Sequence, residues 1–166
     1  MISKKIFVEK AADVLSNDNV QHKFQGHLTN GIQTSGDIFT QLGSVTDQWQ
    51  NIIHSGLKKY RDHFCESEEG FIRDWPSDYR IHGWLVSMKS GGELTAHIHN
   101  TGWITRSIYI NVPPKSKTDS GNIVVTIDDA KHEKSETENR KSSDVVTGSL
   151  CLFPSSLLHY TIPFEA

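Results

Sequence analysis

The feature that most constrains this chain is the run of short apolar segments and turn signals that follows Trp75-Pro76. Residues 79–88 alternate and are closed by Lys89-Ser90-Gly91-Gly92, after which 94–99 form a second short segment. Residues 103–112, rich in Thr, Ile and Tyr, end at Pro113-Pro114. Residues 121–127 carry Ile123-Val124-Val125-Thr126-Ile127, and 145–153 and 157–164 are split by Pro154-Ser155-Ser156. Short segments of this kind, punctuated by Gly and Pro, predict β-strands, and several in succession predict a sandwich or barrel. Residues 128–143 are charged and Ser-rich and read as a solvated loop.

The first part of the chain is mixed. Short strands are expected around Phe7–Val8 and over 31–39. One helix is clear over residues 44–65, where Val45, Trp49, Ile52, Ile53, Leu57, Tyr60 and Phe64 recur at three- and four-residue steps. Ser44 is the expected N-cap, with Asp47 in the capping-box position. Trp49 and Tyr60 are expected in the core. The fold class is therefore all-β with an N-terminal helix. Its 166 residues suffice for a single domain, 1–166, with N-terminal strands and a supporting helix in 1–75 and the β core in 76–166.

Charge and composition narrow the partners. There are 17 basic and 20 acidic residues, a net charge of −3, so no basic excess points to nucleic acid. No apolar run approaches the roughly 20 residues of a membrane span, so no membrane is expected. The apolar stretch after Lys4-Lys5 breaks at Glu9-Lys10 and does not read as a signal peptide. Two cysteines, Cys65 and Cys151, make neither a disulfide framework nor a zinc-finger spacing; they fit buried thiols in a reducing, cytoplasmic compartment.

Chemistry concentrates in Thr95-Ala96-His97-Ile98-His99-Asn100-Thr101-Gly102-Trp103. In a strand, side chains two apart share a face, so His97 and His99 offer two imidazoles to one metal ion. A stable site needs a third ligand. The best candidate is His159, in an apolar strand-like run where a lone imidazole would be awkward to bury. The bland alternative, hydrogen-bonded core histidines, remains open. His22, His27, His54, His63 and His132 read as surface residues, and His82 as a position able to line a cavity.

These residues carry a family resemblance. The stretch from Gly91-Gly92 through His97-Ile98-His99 to Trp103, then Ser107-Ile108-Tyr109-Ile110-Asn111-Val112-Pro113, then Gly121-Asn122-Ile123, then Gly148-Ser149-Leu150-Cys151-Leu152-Phe153-Pro154-Ser155-Ser156-Leu157-Leu158-His159, resembles the iron(II)- and 2-oxoglutarate-dependent oxygenases. Gly31-Ile32-Gln33-Thr34-Ser35-Gly36-Asp37-Ile38-Phe39 and the helix fit the same pattern. The resemblance implies a double-stranded β-helix, a cupin-like jelly roll with the metal near its open end, in the 76–166 core. It implies His97, His99 and His159 as iron(II) ligands, with 2-oxoglutarate as cosubstrate and dioxygen as oxidant. Oxidative decarboxylation to succinate would drive hydroxylation of a small-molecule or peptidyl substrate.

Two departures stand out. The position two after the first histidine is usually acidic in the wider superfamily, and here it is His99. Members also anchor the distal 2-oxoglutarate carboxylate with an Arg or Lys shortly after the last histidine, whereas this sequence stops at Ala166. The expectation is a truncated reading frame or a substitute anchor. Tyr109 and Asn111 share a face with Ser107 and are candidates to contact the cosubstrate; Arg106, on the opposite face, is a third. An incomplete barrel would leave an edge for a homodimer partner.

Two other readings share or replace this one. A three-histidine cupin dioxygenase would use the same ligands without 2-oxoglutarate, since Gly91, His97, His99, Gly148, Pro154 and His159 also fit cupin spacing. A non-catalytic jelly-roll binding module is the other. Zinc hydrolysis is disfavoured, because Glu93 is the one carboxylate near the histidine pair.

Overall fold

A computed structural model describes residues 4–127 and 139–165. They fall into two compact units: one runs up to Ser35 and resumes at Leu85, and the other spans Gly36–Trp84. The first unit is mostly β-sheet with an N-terminal helix.

That helix, α1, spans Lys4–Leu15. Here the strand expected around Phe7–Val8 is corrected. Phe7, Ala11 and Val14 lie four and three residues apart, a helical stripe, and Ala11 and Val14 are buried. Strand β1 (His22–Lys23) pairs with β2 (Leu28–Thr34), which pairs with β3 (Val86–Leu94). The strand expected over 31–39 thus starts earlier and stops at Thr34.

The Gly36–Trp84 unit is helical. Asp37 caps α2 (Ile38–Leu42), accepting from the Phe39 N–H. A 3₁₀ turn over Gly43–Thr46 leads into α3 (Asp47–His63), and α4 (Gly70–Arg73) follows. Ser44 is therefore not the N-cap of α3. Thr46 holds that place, and its hydroxyl donates instead to the Gly43 carbonyl at 2.8 Å. Trp49, Ile53 and Leu57 are buried as their spacing predicts, while Tyr60 is half-buried.

Four further strands complete the first unit. β4 (Ile104–Ile108) pairs antiparallel with β7 (Leu150–Pro154), from Ile104 opposite Pro154 to Ile108 opposite Leu150. β5 (Ile123–Thr126) lies between β6 (Arg140–Ser143) and β8 (Leu158–Thr161). As the central strand it is buried almost throughout, which is why Ile123-Val124-Val125 is apolar on both faces. β6 replaces the end of the loop expected over 128–143; the rest of that loop lies outside the described residues. Its Arg-Lys-Ser-Ser sequence is mostly exposed and follows no apolar alternation. Pairing with β5 alone makes it a strand.

One irregularity positions the histidines. Thr29 on β2 faces Glu93 while Gly31 faces Met88, so the lone Asn30 stands opposite the whole Lys89–Gly92 stretch. Gly91 takes φ +76, and a Cβ on Gly92 would come within 2.7 Å of the Lys89 carbonyl. This bulge redirects the chain so that it also pairs with the C-terminal segment. Gly92 bridges Phe164 and His97 bridges His159, both antiparallel and in one register.

Candidate metal centre

His97 and His159 come from segments that face each other. Each backbone N–H donates to the other's carbonyl at 3.0 Å. Two residues further on, the His99 N–H donates to the Ser155 carbonyl, also at 3.0 Å. Ser155 is buried, and its hydroxyl lies 2.9 Å from that of Thr105 on β4. Gly102 packs so tightly here that a Cβ would sit 2.7 Å from Ser155 Oγ. Backbone bonds thus hold all three histidines to the stretch between Ser155 and His159.

The side chains converge. One ligand atom from each of His97, His99 and His159 lies within 4.8 Å of the other two. Ring centroids are 4.3 Å apart for His97–His159, 5.0 Å for His99–His159 and 5.2 Å for His97–His99. His159 is buried, and the other two are half-buried.

The backbone also selects tautomers. His97 Nδ1 lies 2.7 Å from the Thr95 carbonyl oxygen, and His159 Nδ1 lies 3.1 Å from that of Leu157. A carbonyl oxygen only accepts, so each Nδ1 carries the proton and the lone pair is left on Nε2. This is the outer-shell pattern that orients metal-binding imidazoles. No such partner was visible from the residues alone, because it is main chain two positions back in each case.

Electrostatics favour the neutral rings. Burial lowers all three pKa values. His97 and His99 add mutual like-charge cost to His159, whose value falls to about 4. Neutral imidazole is the form a divalent cation requires. A cluster of three nitrogen donors, neutral at pH 7 and with two tautomers set, fits a first-row transition metal.

The inner wall beside the cluster is apolar. The Phe153 ring lies 4.9 Å from that of His159. Phe153 is buried with Ile123 and Val145, and Tyr109, Val125 and Cys151 pack against this group. Burial, then the neighbouring Cys151, pushes the Tyr109 phenol well above its ordinary range, so it is a neutral hydroxyl. Tyr109 lies just beyond β4, held by its N–H to the Ser149 carbonyl at 2.9 Å. Arg106, opposite Leu152, is on the other face of β4 from Thr105 and Ser107, and its Nη1 donates to the Ile104 carbonyl at 3.4 Å. Asn111 lies beyond the end of β4 and is exposed.

One neighbour had no sequence signal. The His27 ring stacks on that of His97, with centroids 5.0 Å apart and planes 14° from parallel. From the sequence it reads as an ordinary surface residue, and it is exposed.

With the histidine cluster in place, comparison with known families is decisive. The family described as "Putative 2OG-Fe(II) oxygenase" matches residues 82–166, just over half of the chain. This chain belongs to that family. The match contains His97, His99 and His159, and it leaves out the β1–β2 hairpin that carries His27. The family as named pairs iron(II) with 2-oxoglutarate, an oxidoreductase chemistry. No curated protein matches the chain. Among the described residues, no helix is long and apolar enough to cross a membrane.

Proposed function

We propose that this protein is an iron(II)- and 2-oxoglutarate-dependent oxygenase that hydroxylates a small-molecule or peptidyl substrate. The observation that carries the reading is the three-imidazole cluster, with the tautomers of His97 and His159 set by Thr95 and Leu157. In this reading His97, His99 and His159 hold iron(II). Bound there, iron supplies the reduction of dioxygen coupled to decarboxylation of 2-oxoglutarate, giving succinate and an oxidised substrate. The residues of the chain hold the imidazoles neutral, orient them and exclude water through the Phe153 wall.

The strand pairing supports a double-stranded β-helix, with a cupin-like jelly-roll order. The segment through Gly92 and His97, then β8, β5 and β6, would form one sheet, and β4 with β7 the core of the other. Tyr109 would donate its neutral hydroxyl to a 2-oxoglutarate carboxylate from the packed side of the site. Arg106 and Asn111 stay secondary candidates, since one points to the other face of β4 and the other lies beyond it. Cys65 is exposed and Cys151 half-buried, which corrects the expectation of two buried thiols; both are free, which supports a cytoplasmic location.

One observation favours a second reading. The cluster contains no carboxylate, so nothing in it offsets the charge of a divalent ion. That suits a three-histidine, cupin-type dioxygenase that needs no 2-oxoglutarate. Turnover separates the two. The oxygenase reading expects iron-dependent succinate from 2-oxoglutarate in air, lost in His97→Ala. Oxygen consumption independent of 2-oxoglutarate, with no succinate, would contradict it.

A further inference from the structure

We infer that His27, outside the residues matched to the family, is a positioning residue for the metal centre: its ring, stacked on His97, favours the metal-loaded imidazole. This rests on the metal reading above.

The placement of His27 is built in. Leu28 pairs with Leu94 and Thr29 with Glu93, so His27 stands opposite Thr95, one step beyond the ladder. Thr95 then holds both rings. Its N–H donates to the His27 carbonyl at 2.8 Å, its hydroxyl lies 3.2 Å from His27 Nδ1, and its own carbonyl takes the His97 Nδ1–H at 2.7 Å. A sideways shift of the His97 ring would break the near-parallel stack at 5.0 Å.

The stack also distinguishes the loaded from the empty site. A metal ion on Nε2 draws electron density out of the His97 ring. The electron-rich π face of an aromatic neighbour would attract such a ring more strongly than an unmetallated one. His27 touches no reacting atom in this scheme; it acts only through His97. His27 lies in an exposed turn, so its side chain is expected to add little to the fold itself.

The test uses cobalt(II), whose visible bands report the ligand field directly. His27→Ala is expected to weaken cobalt(II) binding roughly 3- to 10-fold and to shift those bands, as changes beside a ligand do. His27→Phe keeps a flat ring and is expected to return both to within about twofold of wild type. Thermal melts of the metal-free variants should match wild type, which separates positioning from a general structural role. Unchanged affinity and bands in His27→Ala, or a loss that Phe does not restore, would overturn the inference alone. A wild-type chain that takes up no cobalt(II) would overturn the metal reading as well.

Discussion

His97 and His159 exchange backbone hydrogen bonds, each N–H to the other's carbonyl at 3.0 Å, and their rings approach to 4.3 Å between centroids. The main chain therefore fixes the separation of two ligand candidates far apart in sequence. Removing either should cost more than the roughly 10- to 100-fold in metal affinity typical of outer-shell changes. Equilibrium titration of His97→Ala and His159→Ala with iron(II) or cobalt(II) checks this. Retained affinity in both would mean the imidazoles are structural.

His99 stands where the wider superfamily carries an acid. His99→Asp should restore a negative charge beside the cation, so metal affinity should equal or exceed wild type while His99→Ala loses it. The pair of titrations reads the role of charge at that position. Equal loss in both variants would show that the third donor must be an imidazole.

The metal-free protein should lose stability on acidification. His159 is held neutral in the fold at a pKa of about 4, chiefly by burial, whereas an unfolded histidine titrates near roughly 6.5. The unfolded chain then binds the proton first. Stability from this group is fully present above about pH 6.5 and is lost as pH falls toward 4. Denaturation at pH 7.5, 6 and 5 should show a falling midpoint, with a smaller fall in a folded His159→Gln variant.

Gly102 is predicted to be a tight point behind the metal centre. Its Cβ would meet Ser155 Oγ at 2.7 Å and Ser155 Cβ at 3.2 Å, and Ser155 is buried. Gly102→Ala should destabilise the chain by about 1–3 kcal/mol, the usual cost of overpacking. Metal affinity should fall with it, because the Ser155 carbonyl holds the His99 N–H. Chemical denaturation and metal titration of the same variant provide the check.

Tyr109→Phe removes a hydroxyl and little packing. It should leave iron affinity unchanged and weaken 2-oxoglutarate binding roughly 3- to 10-fold, as loss of a hydrogen bond worth about 1 kcal/mol would do. Titration of the iron-loaded variant with 2-oxoglutarate measures it. Unchanged cosubstrate affinity would leave Tyr109 as a core aromatic.

The strands nearest the site could be read because their residues alternate or run apolar between turns, as in β4, β5, β7 and β8. The histidine cluster could be read because the His97-x-His99 spacing needs only a common face. Other elements gave no such signal. β6 is polar and owes its form to β5. In α1 the helical stripe of Phe7, Ala11 and Val14 is sparse, and the local Phe7-Val8 pair reads as a strand instead. His27 meets His97 only through the β2–β3 ladder and its bulge, a long-range register that no local pattern encodes.

The most direct test is an anaerobic titration of the protein with iron(II), followed by 2-oxoglutarate, recorded in the visible range. The oxygenase reading predicts a weak charge-transfer band that requires iron, 2-oxoglutarate and an intact His97. Iron uptake with no band on adding 2-oxoglutarate, or no iron uptake at all, would contradict it.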